Sequence, residues 1–286
     1  MKLDPSKNIL IVGLGLLGGS YAKALKKKGY TVYAITKDEP SVTSALEHGF
    51  LDKATTAVAA ELIAEADLIV FALYPHIFVE WIKENGHLIR EGTVITDVTG
   101  VKGCIVYEIQ SLLKPGVEFI AAHPMAGREV YGVENSDDTI FNGANYLVVP
   151  TEQNTFGAIE LCESLGEELG FADVSRLSPE RHDEMIAFLS QLTHCIAVSL
   201  MCACDDPAIE RYTGDSFRDL TRIANINDDM WSELFLSNQK ALLEQMDLYR
   251  TAFDRLYNCV KTGDREEMRS MMRLSTARRK KFVKKG

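Results

Sequence analysis

The segment NILIVGLGLLGGS near the start of the chain constrains the fold more than any other stretch. An apolar run leads into Gly13-x-Gly15-x-x-Gly18, and a helical pattern follows at once. In such a turn Gly13 permits the tight bend, Gly15 lets a pyrophosphate approach the backbone, and Gly18 allows helix and strand to pack closely. The free amide groups at the helix N-terminus, at Leu16 and Leu17, are expected to bind the phosphates. The pattern therefore predicts a dinucleotide-binding βαβ unit.

Strand-like and helix-like patterns alternate from Asn8 to about Ser175. The predicted strands are NILIV, YTVYAIT, ADLIVFALYP, TVITDVT, VEFIAA and NYLVVP. Alternation of this kind is typical of βαβ units, in which helices cover a parallel sheet. We therefore predict an α/β fold with a Rossmann-type, doubly wound sheet over residues 1–176.

The pattern changes after the sequence SRLSPE. Ser178 is a suitable N-cap and Pro179 a suitable first residue for a helix, and from there to Lys285 only helical spacing of apolar residues recurs. We therefore predict an all-α domain over residues 177–286.

One predicted helix of this domain, MIAFLSQLTHCIAVSLMCAC at 185–204, contains no Asp, Glu, Lys or Arg. Its Ser, Gln, Thr and His side chains are costly in lipid, so we interpret it as a helix buried between protein surfaces and not as a membrane span. Burying so apolar a helix needs more cover than a domain of roughly 110 residues supplies, which predicts a homodimer.

Composition narrows the possible functions. The 286 residues carry a formal net charge of −10, which argues against non-specific binding of nucleic acid because that binding needs a basic face. The six cysteines include no CxxC pair and no Cys/His set at zinc spacing. We therefore expect reduced thiols, no metal site and a cytoplasmic location. The N-terminal residues carry no signal-peptide pattern.

The choice between NAD and NADP depends on the end of the second predicted strand. An Asp or Glu usually stands there and binds the ribose hydroxyls of NAD. This strand ends in Thr36 and Lys37, and Asp38 follows. A hydroxyl and a cation suit a 2′-phosphate, which favours NADP. The alternative is that Asp38, two residues late, binds the ribose of NAD.

The segment EFIAAHPMAG predicts a short buried strand that ends in a shaped loop, with His123 at the junction. Loops at strand ends are where α/β enzymes place their catalytic groups. A histidine with a pKa near ~6.5 can act as a base at neutral pH. From the residues alone, His123 is either a catalytic imidazole or a hydrogen-bonded core residue.

Several segments together resemble the prephenate and arogenate dehydrogenases, enzymes of tyrosine biosynthesis. In chain order they are GLGLLGGS, TDVTGVKG, HPMAGRE, SPERHDEM, SQLTH, FRDLTRIA and MW. Their order and spacing agree with that family over nearly the whole chain. The resemblance implies a nucleotide-binding domain followed by a helical dimerisation domain. It also implies an oxidative decarboxylation, in which a ring carbon loses hydride to the nicotinamide and the ring becomes aromatic.

The resemblance assigns roles to individual residues. His123 would take the proton of the substrate hydroxyl, and Arg222 would bind the ring carboxylate that is lost as carbon dioxide. Ser190 and His194 match a substrate-contacting motif, in which Gln191 replaces a histidine. Further matches, expected to form gating or packing contacts, are His182, Glu129, Asp219 and Trp231. Arg218 is expected to form a surface ion pair.

Two further residues depart from the family pattern. Gly100 stands where the family usually has a serine that orients the catalytic histidine, and Thr99 is expected to replace that serine. Arg128 precedes Glu129 where many relatives have a small or neutral residue. A cation there would favour the keto-acid carboxylate of prephenate, whereas pairing with Glu129 would neutralise it.

Three functions stay open at this point. The first is a prephenate dehydrogenase, with arogenate as the alternative substrate. The second is another dehydrogenase of the same layout, such as a β-hydroxyacid dehydrogenase, which usually depends on a lysine in the helical part. No lysine lies between Val174 and Ser237. The third is an NADP-binding sensor without catalytic activity.

Overall fold

The computed structural model describes residues 2–282. By packing, the chain divides into two compact units, Met1–Asn238 and Gln239–Gly286. The boundary near residue 176, which the change of pattern predicts, stays a prediction. The strands are β1 Asn8–Val12, β2 Thr31–Ile35, β3 Lys53–Thr55, β4 Leu68–Phe71, β5 Val94–Asp97, β6 Glu118–Phe119, β7 Ala121–Pro124, β8 Asn145–Val149 and β9 Asp173–Arg176.

Twelve α-helices accompany these strands in the described part of the chain. They are α1 Leu16–Lys27, α2 Glu39–Glu47, α3 Ala60–Glu65, α4 Pro75–Asn85, α5 Val106–Leu112, α6 Phe156–Leu169, α7 Pro179–Ile186, α8 Leu192–Cys202, α9 Asp215–Thr221, α10 Asp228–Ser237, α11 Gln239–Thr262 and α12 Arg265–Arg279. After β9 the described residues contain helices and no strand, so the predicted order of an α/β part followed by an all-α part is confirmed.

The central sheet has six parallel strands in the order β3-β2-β1-β4-β5-β6. Successive residues of β1 serve its two faces. Ile9 and Ile11 pack with α1 and α6, whereas Leu10 and Val12 pack with α4 and α5 on the other face. A parallel sheet with helices on both faces is the doubly wound Rossmann architecture that the sequence predicts. The strand order reverses between β1 and β4, where such sheets bind their ligands.

A second sheet, in the order β7-β8-β9, departs from the prediction of one parallel sheet. The segment predicted as one strand splits into β6 and β7, and β8 runs antiparallel to β7. The reason lies at Ala122, whose amide donates to the Asp97 side chain at 3.0 Å and not to a backbone carbonyl of β5. The ladder of the first sheet ends there, and the chain continues into the second sheet.

The second sheet is tightly covered by α6. Gly166 of α6 lies against Tyr146 of β8, and a Cβ atom at residue 166 would come within 2.5 Å of the tyrosine ring. Tyr146 pairs in turn with Pro124 of β7. Only glycine allows α6 to pack this closely on the sheet.

Helices α7 and α8 form one continuous helix through a π-helical turn at Ala187–Gln191. By length and composition alone, Pro179–Cys202 is long and apolar enough to cross a membrane. Only 28% of its most apolar window is buried within the chain, and Phe188, Leu189 and Met201 are exposed. The chain by itself therefore does not bury this helix.

The unit Gln239–Gly286 contains α11 and α12, which are joined at Gly263. Gly263 adopts a positive φ of 70°, a conformation that suits glycine at a helix end. Asp264 then caps α12 by accepting from the Glu267 amide at 3.0 Å. Arg255 pairs with Glu267, while several large apolar side chains of α11 are exposed, namely Leu243, Leu248, Phe253, Tyr257 and Val260.

Candidate active site

The glycine turn after β1 has the geometry that its three predicted roles require. Gly13 has a φ of 96°, and a Cβ there would lie 2.4 Å from the Ala72 carbonyl oxygen. A Cβ at Gly18 would lie 2.0 Å from the Gly13 carbonyl oxygen. At Gly15 a Cβ would meet nothing within 4 Å. Gly13 and Gly18 are thus needed for the turn and the packing of α1, and Gly15 leaves the backbone open to a ligand.

Gly15 is also the N-cap of α1 and brings no side chain to the amides of the first helical turn. These amides, at Leu16, Leu17 and Gly18, carry the partial positive charge of the helix N-terminus and suit the phosphates of a dinucleotide. The residues present therefore fit the predicted cofactor.

The end of β2 presents Thr36 half-buried and Lys37 exposed. Asp38 caps α2: one oxygen, Oδ2, accepts from the Ser41 amide at 2.9 Å and from the Ser41 hydroxyl at 2.5 Å. One oxygen of the carboxylate that was the alternative ribose ligand is thus engaged by its own helix, while the other, Oδ1, accepts no hydrogen bond from residues 2–282.

His123 lies on β7, at the same edge of the sheet as the glycine turn. Val12 of β1 is level with Phe71 of β4, and Phe71 is level with Asp97 of β5. The amide directly before His123 donates to Asp97. The half-buried imidazole therefore stands at the carboxyl ends of the strands, where doubly wound sheets bind ligands.

A fully buried ion pair supports this edge. Lys102 Nζ donates to Asp97 Oδ2 at 2.6 Å, and neither side chain is accessible to solvent. The same ammonium donates to the Ala122 carbonyl at 2.6 Å and to the Thr99 hydroxyl at 3.1 Å. The peptide groups on either side of Ala122 are thus tied to Asp97 and to Lys102, which fixes the backbone just before His123.

The His123 side chain contacts His182 in the first half of α7, and His182 in turn contacts Asp183. His123 Nδ1 lies 2.9 Å from His182 Nε2, and His182 Nδ1 lies 2.8 Å from Asp183 Oδ1. The Asp183 carboxylate also accepts from the amides of Lys102 at 2.8 Å and Gly103 at 2.7 Å. The imidazole therefore lies at the end of a buried chain of hydrogen bonds.

The pKa of His123 lies well below its usual value. Burial disfavours the imidazolium most, and the electrostatic influence of His182 and of the Lys102 ammonium lowers the pKa further. Burial also lowers the pKa of His182, against the opposing influence of Asp183. At neutral pH His123 is therefore an uncharged base.

A second cluster lies on the helical part and the loop that leaves β7. Arg222 forms an ion pair with Glu129, and both side chains are partly exposed. His194 stacks on Trp231, with ring centroids 3.7 Å apart, and its Nδ1 donates to the Ser190 carbonyl at 2.9 Å. Burial lowers the pKa of His194, while the hydrogen bond to the Ser190 carbonyl and the charge of Glu129 raise it and Arg222 lowers it. Helix α8, which carries His194, packs against the turn that contains Arg222.

Two family models match the chain. "Prephenate dehydrogenase, nucleotide-binding domain" matches residues 21–174, and "Prephenate dehydrogenase, dimerization domain" matches residues 178–274. The chain belongs to the prephenate dehydrogenase family. Members of this family are NAD-dependent oxidoreductases, which assigns the chain to the enzymes.

Individual relatives agree over most of their length. The chain is 29% identical to prephenate dehydrogenase from Bacillus subtilis, over 91% of this chain and 72% of the relative. It is 31% identical to the enzyme of that name from Lactococcus lactis, over 87% of this chain and 70% of the relative. The crystal structure of prephenate dehydrogenase from A. aeolicus, in complex with hydroxyphenyl propionate and NAD+, has a TM-score of 0.89 at 28% identity, covering 97% of this chain and 98% of that one.

Within the family site, the expected function of Thr99 needs correction. Its hydroxyl donates to the Asp97 carboxylate or the Val101 carbonyl and accepts from Lys102. Thr99 is therefore engaged within its own loop and is not free to orient His123. A Cβ at Gly100 would lie 3.5 Å from Leu234, an ordinary contact distance, so packing does not require glycine there.

The cation at Arg128 does not pair with Glu129. Arg128 donates to Asp137 at 2.8 Å on an exposed part of the loop, while Glu129 pairs with Arg222. The Thr139 hydrogen bonds and Arg128 together lower the pKa of Asp137 to about 2. Arg128 is thus paired with Asp137 in an exposed ion pair of the same kind as the Arg222–Glu129 pair. A role of Arg128 in binding a second substrate carboxylate stays a prediction. Arg218 pairs with Asp215 on the surface, as expected.

Three residues of the site were not found from the sequence. Lys102 and Asp183 carry the buried network, and Asn238 donates to the Asp183 carbonyl at 2.9 Å and to Gln191 at 2.8 Å. Gln191 itself donates to the Leu234 carbonyl at 2.8 Å, which explains a buried amide at the position of the family histidine. The adjacent histidine and aspartate in SPERHDEM were the sequence feature that could have indicated Asp183. No metal-binding group of three or more His, Cys, Asp or Glu side chains occurs among the residues described.

Proposed function

We propose that this protein oxidises prephenate to 4-hydroxyphenylpyruvate with loss of carbon dioxide. The observation that carries the proposal is the imidazole of His123, held through Nδ1 by His182 at the sheet edge that bears the glycine turn. Oxidation removes hydride from the ring carbon that carries the hydroxyl, and aromatisation of the ring drives the loss of carbon dioxide. The protein then needs to supply orientation, a base and recognition of charge.

His123 acts as the base. Its Nδ1 is bonded to His182, which leaves Nε2 for the hydroxyl of the substrate. Accepting that proton raises electron density on the oxygen, and this favours departure of hydride from the same carbon. A pKa below the usual value keeps the imidazole uncharged, so no deprotonation has to precede the reaction.

Arg222 binds the ring carboxylate. Its guanidinium is planar and permanently charged, which suits a bidentate contact with a carboxylate. In the free protein the guanidinium is paired with Glu129, and the substrate carboxylate takes the place of Glu129. Breaking this pair costs little free energy, because an exposed ion pair contributes only about 0–1 kcal/mol.

His194 and Ser190 line the same region. The bond from His194 Nδ1 to the Ser190 carbonyl leaves the other ring nitrogen, Nε2, as a hydrogen-bond acceptor. Stacking on Trp231 holds the plane of the ring. We assign both residues to substrate contact.

The dinucleotide would bind at Gly13, Gly15 and Gly18, with its phosphates on the amides of Leu16 and Leu17. When bound, it supplies the acceptor for the hydride that leaves the substrate. Thr36 and Lys37 would contact the adenosine ribose, and NADP is the proposed preference. The engagement of Asp38 by Ser41 supports it.

Arogenate is the alternative substrate, and it would yield tyrosine directly by the same steps. The locally paired Arg128 supports neither substrate, so the preference for prephenate is supported by the names of the relatives. A sensor without turnover would have no use for an imidazole whose Nδ1 is held by His182 and whose Nε2 is left to accept a proton.

We further propose that the protein is a homodimer. The exposed apolar side chains of α8 and of α11, each on its own unit, need a cover that one chain does not provide. The description of the second family model as a dimerization domain agrees with a second copy as that cover. A mass measured by light scattering at twice 31.8 kDa is expected, and the mass of a single chain at micromolar concentration would refute the dimer.

One experiment tests activity, substrate and cofactor together. The purified protein is mixed with prephenate or arogenate and with NAD or NADP, and reduced nicotinamide is followed by absorbance in all four pairings. We expect the highest kcat/KM with prephenate and NADP. Turnover with arogenate alone would move the assignment to that substrate, and dinucleotide binding without turnover in any pairing would refute the enzyme.

A further inference from the structure

We infer that His182 and Asp183 are positioning residues that fix the tautomer of His123. This inference deepens the proposed function, since it concerns the base of that reaction. It starts from three groups in a row: Asp183 Oδ1, the His182 ring and His123 Nδ1, joined by contacts of 2.8 Å and 2.9 Å.

The direction of each hydrogen bond follows from Asp183, the acidic member of the row. Both oxygens of Asp183 accept backbone amides, Oδ1 from Lys102 and Oδ2 from Gly103. A carboxylate that only accepts obliges His182 Nδ1 to carry a hydrogen and to donate it. Because burial keeps His182 uncharged, its Nε2 has no hydrogen and must accept. His123 Nδ1 therefore carries the hydrogen and donates to His182.

This order leaves His123 Nε2 without a hydrogen. Nε2 has no hydrogen-bond partner among residues 2–282, and the imidazole is half-buried and not enclosed. This row of hydrogen bonds thus leaves His123 Nε2 unprotonated and free to accept a hydrogen bond. The opposite tautomer would place a hydrogen on Nε2 and leave the nitrogen facing His182 with no donor, since His182 Nε2 has none to give.

The Asp183 carboxylate is held in a position that requires glycine at residue 103. A Cβ at Gly103 would come within 2.9 Å of Asp183 Oδ2. The missing side chain lets the carboxylate sit against two successive amides, with the fully buried Lys102 side chain directed to Asp97 instead. Asn238 fixes the backbone of Asp183 from the other side. Asp183 is thereby held in one orientation, and His182 with it.

The other candidate for orienting His123 is already occupied. The Thr99 hydroxyl is bonded to Asp97, Val101 and Lys102. Position 100, beside it, is a glycine and has no side chain. His182 is therefore the group that touches Nδ1 of the base, although it comes 59 residues later in the chain.

Nitrogen NMR on the free protein tests the tautomer without any turnover. The protein is labelled with 15N-histidine, and His123→Asn identifies the resonances of residue 123. We expect a hydrogen on Nδ1 and an unprotonated Nε2 in the unmodified protein at neutral pH. A hydrogen on Nε2 would overturn the inference, whether or not prephenate is the substrate.

Two substitutions at His182 separate positioning from packing. Gln places an amide oxygen near the position of Nε2 and can still accept from His123, whereas Leu fills similar space and cannot. We expect His182→Leu to lower kcat by roughly tenfold to a hundredfold with KM within about threefold. His182→Gln should restore most of kcat, and its His123 should keep the hydrogen on Nδ1. The same Gln substitution at the exposed His48 serves as the control and should leave kcat unchanged.

Three outcomes contradict the inference. Unchanged kcat in His182→Leu would show that the contact has no effect on the base. Equal losses in the Leu and Gln variants, with equal falls in melting temperature, would show a packing role. A His182→Leu protein in which His123 keeps its Nδ1 hydrogen would show that the tautomer is set elsewhere. Absence of prephenate turnover in the unmodified protein would refute the proposed function and leave the NMR result standing.

Discussion

The two clusters of the site differ in how firmly they are held. Around His123 the polar groups are buried, and Asp97, Lys102 and Asp183 each make several hydrogen bonds. Around Arg222 one exposed ion pair with Glu129 is the main attachment. The base is thus fixed before substrate arrives, while the carboxylate-binding arginine can exchange its partner. Orientation matters most for the group that moves a proton, and exchange matters most for the group that binds a charge.

The largest difference is expected in stability. Lys102→Met should lower the free energy of unfolding by about 3–5 kcal/mol, because it leaves the buried Asp97 carboxylate without its partner. Urea unfolding followed by circular dichroism measures it. Glu129→Gln, which removes half of the exposed pair, is the matched control and should cost less than about 1 kcal/mol. Similar losses in the two variants would show that the buried pair of Lys102 and Asp97 is held no more firmly than the exposed pair of Arg222 and Glu129.

The next effect is on catalysis. His123→Asn should lower kcat by about a hundredfold or more, since a positioned base typically contributes that much, and KM should change little. Steady-state kinetics with prephenate measures both constants. A rise in KM with kcat intact would move His123 from the chemical step to substrate binding.

Arg222→Gln should act on affinity. Loss of a charged hydrogen bond of about 1.5–3 kcal/mol corresponds to a rise in KM of roughly tenfold to a hundredfold. Arg218→Gln, which removes the neighbouring surface arginine, is the control and should leave KM unchanged. If the two variants have the same KM, Arg222 does not bind the carboxylate.

The pH dependence of kcat/KM reports the protonation of His123 in its buried hydrogen-bond network. His123 must be uncharged to accept a proton, and its pKa lies well below the usual ~6.5 because it is buried. The profile should therefore stay flat as the pH falls through that value and decline only in more acidic solution. A midpoint at or above the usual histidine pKa would show that the imidazole is solvated, in contrast to its buried network.

The smallest expected effect concerns the cofactor. Lys37→Ala should reduce the preference for NADP over NAD by a few fold, because an exposed lysine contributes little more than about 1 kcal/mol to binding a phosphate. The ratio of kcat/KM for the two dinucleotides measures it. An unchanged ratio would remove Lys37 from cofactor selection.

The sequence predicted the features whose physical cause is local. The roles of Gly13, Gly15 and Gly18 depend on one short turn, and they agree with the space found at each residue. The position of His123 was predictable to within one or two residues from the apolar run before it, since His123 lies one residue before the end of β7. These features need only the neighbouring residues for their explanation.

The sequence did not predict contacts between distant segments. Thr99 was expected to orient His123, but the contact comes from His182 in another helix. The sheet containing β7 was also missed, because an apolar run does not show that Asp97 ends the ladder at Ala122. Such contacts depend on where the helical part meets the sheet edge, and residue spacing does not specify that.

The predicted single strand is divided into β6 and β7, which belong to different sheets. As a result, a substitution far from His123 can disturb it. Since His123 is carried by the second sheet, its backbone is paired with β8, which α6 covers through Gly166. An alanine at residue 166 would push on Tyr146, then on its paired neighbour Pro124. Turnover should thus suffer from a methyl group added on a remote helix.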